Sequence, residues 1–159
     1  MRGVAGRKRV IAWAAGGAIA TAVLGGLATD LSPWYYALRQ PPWKPPDWLF
    51  GPAWTVIFTL TAAAAVLAWE ACPAGPSRRR LLAAFALNAL LNIAWSWLFF
   101  TLRRPDWARI EVVLLVASVA LLIVLAGRLR PLAGWLLLPY LLWTGFAGWL
   151  NHAVVQLNA

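Results

Sequence analysis

Residues 87–100 read Leu87-Asn88-Ala89-Leu90-Leu91-Asn92-Ile93-Ala94-Trp95-Ser96-Trp97-Leu98-Phe99-Phe100. No charge interrupts the stretch. Asn88, Asn92, Trp95 and Phe99 fall at i, i+4, i+7 and i+11, so in a helix one face carries two carboxamides and then two aromatics. A polar side chain inside a bilayer is costly unless it meets a partner, so it normally faces a bundle interior or a cavity. The stretch predicts a membrane-spanning helix whose polar face marks a binding position.

The flanking sequence repeats the apolar pattern. Blocks at 10–29, 51–71, 81–102, 110–127 and 132–155 are each roughly 18–24 residues long, enough at 1.5 Å rise to cross about 30 Å of hydrocarbon. The chain of 159 residues is 62% hydrophobic and 12% charged. A soluble domain is nearer half apolar and a quarter charged, so the composition predicts an integral, multi-pass protein. The reading is all-α: one domain, residues 1–159, forming a bundle of five transmembrane helices.

The net charge of +9 does not indicate nucleic acid, because the Arg residues cluster in short segments between apolar blocks. These segments set the expected orientation. With the N-terminus inside, nine Lys and Arg face inward, from Arg2 through Arg7, Lys8 and Arg9 to Arg78–Arg80, Arg128 and Arg130. Five face outward: Arg39, Lys44, Arg103, Arg104 and Arg109. The bias predicts N-inside, C-outside.

Several chemistries are absent. Cys72 is the only Cys and His152 the only His, which excludes an intrachain disulfide and a Cys/His zinc site within one chain. His152 is either a haem axial ligand or a polar residue near a helix end. There is no phosphate loop, no nucleophile–His–acid set and no pair of membrane carboxylates. Asp30, Glu70, Asp106 and Glu111 are expected at span ends, with Asp47 in the first loop. That placement argues against an ion-coupled pump, which needs ionisable groups in mid-membrane.

The first block follows Arg7-Lys8-Arg9, as a signal peptide would. Its apolar run is too long for the usual signal core, and Gly25-Gly26-Leu27-Ala28-Thr29 is a weak cleavage site. A retained span is expected. Ala14, Ala18, Ala22 and Gly26 form a small-residue ridge, with Gly17, Thr21 and Gly25 beside it, and such ridges let helices approach closely in lipid. The loop at about 30–50 holds Trp34, Tyr35, Tyr36, Trp43 and Trp48, with the pairs Pro41-Pro42 and Pro45-Pro46, which stiffen it. It reads as an interfacial aromatic belt or as an ordered lid over a cavity.

Three motifs are specific. Trp34-Tyr35-Tyr36-Ala37-Leu38-Arg39-Gln40-Pro41-Pro42-Trp43-Lys44-Pro45-Pro46-Asp47-Trp48, followed by Pro52-Ala53-Trp54, resembles the first-loop signature of the TspO/MBR family. These are the tryptophan-rich sensory proteins, which include the mitochondrial translocator protein, or peripheral benzodiazepine receptor. Leu91-Asn92 through Trp95 to Phe99-Phe100 resembles the family's third-span segment. Pro139-Tyr140-Leu141-Leu142-Trp143 through Phe146-Ala147 to Leu150-Asn151 resembles its fifth.

The resemblance implies a five-helix bundle, often a homodimer, whose pocket is closed by the first loop and takes porphyrins such as protoporphyrin IX. By position it implies ligand-binding roles for Tyr35, Trp54, Asn88, Asn92, Trp143 and Ala147, and Trp95 joins this set as the aromatic on the Asn88–Asn92 face. It implies no required cofactor, the porphyrin being a ligand. Some bacterial relatives degrade protoporphyrin in light, which would make Trp54 and Trp143 catalytic here. The sterol-recognition pattern of animal relatives is not matched, since residues 150–156 contain neither Tyr nor a basic residue. Arg-, Ala- and Gly-rich usage points to a bacterial cell membrane.

The residues support the same site without the resemblance. Pro139, Trp143, Ala147 and Asn151 lie at i+4 steps, with small Ala147 leaving room beside Trp143, and Trp54 pairs with Phe58. A planar aromatic ligand needs aromatic faces and a few orienting polar groups. The alternative is that these Trp residues only fill the core. Three functions use such a pocket: a tetrapyrrole-binding protein that controls porphyrin level, flux or stress sensing, a light-dependent porphyrin-degrading enzyme, and a lipid- or sterol-binding transport protein.

Overall fold

The computed structural model describes residues 4–159, so Arg2 of the charge comparison lies outside the described residues. Five long helical stretches are apolar and long enough to cross a membrane. The first is α1 (Val4–Ala28), which leads through the short α2 (Pro33–Ala37) and a 3₁₀ turn (Asp47–Leu49) into α3 (Phe50–Ala71). Next come α4 (Pro76–Ser96), continued by a π-helical turn (Trp97–Thr101), and α5 (Pro105–Leu129). The last stretch is divided into α6 (Pro131–Leu136) and α7 (Leu138–Leu157).

Helix starts fall earlier than the apolar blocks suggest. Arg7, Lys8 and Arg9 lie inside α1, Arg78–Arg80 in the first turns of α4, Arg109 inside α5 and Arg128 in its last turn. Arg and Lys are good helix formers, and a membrane-spanning helix is free to continue past its apolar block, since charge is tolerated at headgroup depth. Pro76, Pro105 and Pro131 each open a helix, where the missing N–H costs nothing. Gly75, at φ +102°, makes the turn before α4 that a side chain would resist. The break at Leu137 precedes Pro139, which has no N–H to donate to a carbonyl of the preceding turn and whose ring would clash with it in a continuous helix.

The helices close into a ring. α1 lies along α3 and α4, α4 along α5, α5 along α6 and α7, and α3 meets α6. α5 is the innermost: Leu115, Val119, Leu122 and Ala126 form one buried stripe at i, i+4, i+7 and i+11. Its end touches α6 almost backbone to backbone. A Cβ on Gly134 would stand 3.0 Å from Gly127 Cα and 3.2 Å from the Ile123 carbonyl. The outer faces stay apolar, as lipid contact requires, with Trp13, Leu27 and Leu142 strongly exposed.

α1 is the least buried span, with Thr21 and Gly25 its buried positions. Its small-residue ridges serve a second purpose beside helix approach: Ala18, Ala22, Gly25 and Gly26 line a cavity, and Ala14 and Gly17 line another. Gly17 and Gly26 have nothing within 4 Å of where a Cβ would stand.

Candidate functional site

The larger cavity, about 740 Å³, opens between α1, α3, α4 and α7 beneath the first loop. The loop is an ordered lid. Tyr35 donates its hydroxyl to Asp47 Oδ1 at 2.9 Å, and Lys44 donates to the same oxygen. Burial, and then the neighbouring Asp47 carboxylate, push the Tyr35 phenol above its ordinary pKa. The Arg39 backbone N–H donates to Asn158 Oδ1 at 3.0 Å, and Asn158 Nδ2 donates back to the Arg39 carbonyl at 3.0 Å. This pair ties the lid to the end of α7. Trp34 packs edge-on against Phe99, and Trp43 against Phe146 and Trp149. Tyr36 and Trp48 remain exposed, so the loop is a lid that also carries part of an aromatic belt.

Aromatic side chains wall the cavity. Trp54 stacks on Phe58 with centroids 5.2 Å apart, and Phe50 meets Trp143 edge-on at 5.5 Å. Tyr35 and Trp95 contact Phe100 at 5.6 and 6.0 Å. The π turn places these rings. Leu102 N–H donates to the Trp97 carbonyl at 2.9 Å, a five-residue step that widens the helix. Phe100 thereby lines the cavity, while Phe99 is buried with Tyr35, Ala108, Leu150 and Val154. The regular α-helical spacing from Asn88 to Phe99 therefore ends before Phe99 reaches the cavity face.

Polar groups of α4 divide between structure and cavity. Asn92 Nδ2 donates to the Tyr140 hydroxyl at 3.1 Å, linking α4 to α7. Trp95 Nε1 donates to Asn151 Oδ1 at 3.2 Å, and Asn151 Nδ2 to the Pro105 carbonyl at 2.9 Å, joining α4, α7 and α5. Asn92 and Ser96 also line the cavity, and Gly25 keeps the space before them open. A Cβ on Gly25 would stand 3.8 Å from Ser96 Oγ and 3.9 Å from Asn92 Oδ1. Trp143 Nε1 is buried without a hydrogen-bond partner among the described residues.

Six of the seven site residues expected from sequence line this cavity: Tyr35, Trp54, Asn92, Trp95, Trp143 and Ala147. Asn88 does not. It lies one turn deeper, about 6 Å along the helix, where it donates to Ser118 Oγ at 2.9 Å and lines a second cavity. Gly25, Phe50, Ser96 and Phe100 were not among the expected residues. Ser96 carried a signal, being four residues after Asn92. His152 is exposed and lines neither cavity.

Glu111 corrects the expectation that all helical acids sit at span ends. Because α5 begins at Pro105, Glu111 is more than a turn inside the helix and buried, and neither carboxylate oxygen has a hydrogen-bond partner among the described residues. Glu70 does sit at an end, 2.9 Å from Arg7 and linking α3 to α1.

Comparison with known proteins matches residues 11–157 to the TspO/MBR family. The tryptophan-rich protein TspO of Chlorobaculum tepidum is 38% identical over 130 residues, covering 79% of this chain and 80% of the relative. The translocator protein of Bos taurus is 34% identical over 127 residues, covering 79% and 75%. Protein CrtK of Rhodobacter capsulatus is 33% identical over 142 residues, covering 88% and 89%.

Proposed function

This chain belongs to the TspO/MBR family, and on that premise we propose that the lidded cavity binds a planar tetrapyrrole of the protoporphyrin IX type. Binding there would control porphyrin level, flux or stress sensing in the membrane. The observation that carries the reading is the cavity itself: about 740 Å³, walled by Trp54, Phe58, Trp95, Phe100 and Trp143, with Asn92 and Ser96 at one side. Aromatic faces offer stacking area to a flat macrocycle, and a few polar groups fix its orientation. The apolar outer faces fit a lipid environment, and bacterial relatives support a bacterial cell membrane. A homodimer belongs to the same reading.

Titration of purified protein with protoporphyrin IX tests it. Saturable Trp quenching at one porphyrin per chain supports the reading, and quenching that rises linearly without saturation removes it.

A second reading rests on Trp54 and Trp143 both lining the cavity. Trp is oxidisable, so either residue can give an electron to a photoexcited porphyrin, which passes it to dioxygen; the Trp radical then takes an electron back from the ring, so that over the cycle the ring is oxidised, dioxygen is reduced and Trp is restored. Light-dependent degradation would then be an activity of the same site.

A further inference from the structure

The second cavity, about 560 Å³, lies between α1, α3 and α4 at the arginine-rich end of the bundle. Ala18, Thr21, Phe58 and Ala62 line both cavities and form the partition between them. Below the partition the walls are apolar: Trp13 and Ala14 from α1, Ala65 from α3, Phe85 and Ala89 from α4. Three polar side chains stand among them: Asn88 donates to Ser118, the Tyr140 hydroxyl accepts from Asn92, and the Thr61 hydroxyl has no partner among the described residues.

The mouth is cationic. Arg9 lines it and makes no ion pair with any described residue. Its neighbours differ. Arg7 is paired with Glu70, and Arg78 is held by the Cys72 carbonyl at 3.1 Å and the Trp69 ring at 5.2 Å. Arg80 immediately precedes Leu81, which lines the cavity. The depth fits one leaflet. From Arg9 to Thr21 the helix rises about 18 Å, against about 15 Å for half of the hydrocarbon core.

We propose that this lower cavity is a separate binding site for an anionic phospholipid, with one acyl chain between α1, α3 and α4 and the headgroup phosphate against Arg9. A cavity of leaflet depth, walled by small and aromatic residues and open in the membrane, accepts an acyl chain without opening a void. A cation at headgroup level selects a negative head over a zwitterionic one. The bound chain would brace α1, which is otherwise the least buried span.

The test is native mass spectrometry of the full chain in detergent, offered equal phosphatidylglycerol and phosphatidylcholine with identical acyl chains. The expected result is one phosphatidylglycerol per chain, retained about five-fold over phosphatidylcholine. Arg9→Gln should lower that preference to about two-fold or less. Ala65→Phe on α3 and Ala89→Phe on α4 each fill the cavity from a different wall. Both should lose the retained lipid while still binding protoporphyrin IX in the upper cavity. A variant that loses its helical circular dichroism is replaced by the other.

Equal retention of the two lipids by the native chain would overturn the proposal. So would undiminished retention in both filled variants. Displacement of phosphatidylglycerol by equimolar oleate would reassign the site to a free fatty acid, and by a second equivalent of protoporphyrin to a tetrapyrrole. Absence of porphyrin binding at the upper cavity would leave the lipid result standing.

Discussion

Asn92→Leu separates the structural from the ligand-binding part of the polar face. The side chain keeps similar bulk and loses its amide. In the structure that amide donates to Tyr140 OH at 3.1 Å, and Tyr140 is only 1% exposed. Removing the donor costs the buried hydroxyl its 3.1 Å partner and leaves Asn88 as its remaining amide neighbour. An orphaned buried group costs about 1–3 kcal/mol, whereas interhelical hydrogen bonds in membranes average about 0.6 and reach about 1.7 kcal/mol in double-mutant cycles. Asn92→Leu should therefore destabilise by about 1–2 kcal/mol, and Tyr140→Phe by a similar amount. The double variant should lose less than the sum by about 0.6–1.7 kcal/mol, because both partners leave together. The assay is unfolding by sodium dodecyl sulfate in mild detergent, followed by helical circular dichroism. Additivity within about 0.3–0.5 kcal/mol would show that the pair is not coupled and refute the bridging role. Porphyrin affinity supplies the second readout. It should fall about ten-fold in Asn92→Leu, equal to about 1.4 kcal/mol, and stay near the native value in Tyr140→Phe, since Tyr140 does not line the upper cavity.

Ala147→Phe should crowd the upper cavity beside Trp143, weakening porphyrin binding more than folding, whose overpacking cost is about 1–3 kcal/mol. Native affinity in that variant would place Ala147 away from the ligand. For topology, Ala37→Cys in a Cys72→Ser background should react with an impermeant thiol reagent from outside intact cells. Ala37 suits this because it is exposed in the lid, whereas the Ser32 hydroxyl oxygen is buried. Reaction only after permeabilisation would invert the orientation. If light consumes bound porphyrin, Trp54→Phe with Trp143→Phe should keep most of the stacking area and stop the loss of the Soret band. Equal bleaching by native protein, the double variant and detergent alone would remove the photochemical reading.

The five spans were legible because each apolar block exceeds what a bilayer requires, and the breaks between them are Pro, Gly and Arg. Their ends were less legible. Arg7–Arg9 and Arg78–Arg80 look like loop by charge, yet they are helical because nothing at headgroup depth penalises a charged helix. The break at Leu137 and the lid helix Pro33–Ala37 were missed inside longer patterns, although Pro139 and Pro33 were their signals. The π turn left no mark in composition, since it is a change of hydrogen-bond register, and it decides that Phe100 rather than Phe99 faces the cavity. Six of the expected residues line one cavity because Trp143 and Ala147 are one turn apart on α7, Asn92 and Trp95 share a face of α4, and Trp54 and Tyr35 close it from α3 and the lid. Asn88 shared the face with Asn92, but depth along the helix assigned it to the lower cavity. Gly25 was read as a packing residue. Its second role, holding space open before Asn92 and Ser96, depends on what α4 presents opposite it.

The central claim is that the lidded cavity is where a tetrapyrrole binds, and Gly25→Leu tests it most directly. A Cβ at position 25 meets Ser96 Oγ and Asn92 Oδ1 at ordinary contact distance, so the helix can accept the change while the rest of the side chain enters the cavity. Leu also favours helix over Gly by up to about 1 kcal/mol, so folding should not suffer. The measurement is protoporphyrin IX titration of native and Gly25→Leu protein, following Trp quenching and the Soret shift together. The account predicts saturation at one porphyrin per chain for the native protein and at least about a ten-fold loss of affinity, or about 1.4 kcal/mol, in the variant. Equal, saturable binding by both proteins would contradict it, because the porphyrin would then be held somewhere other than this cavity.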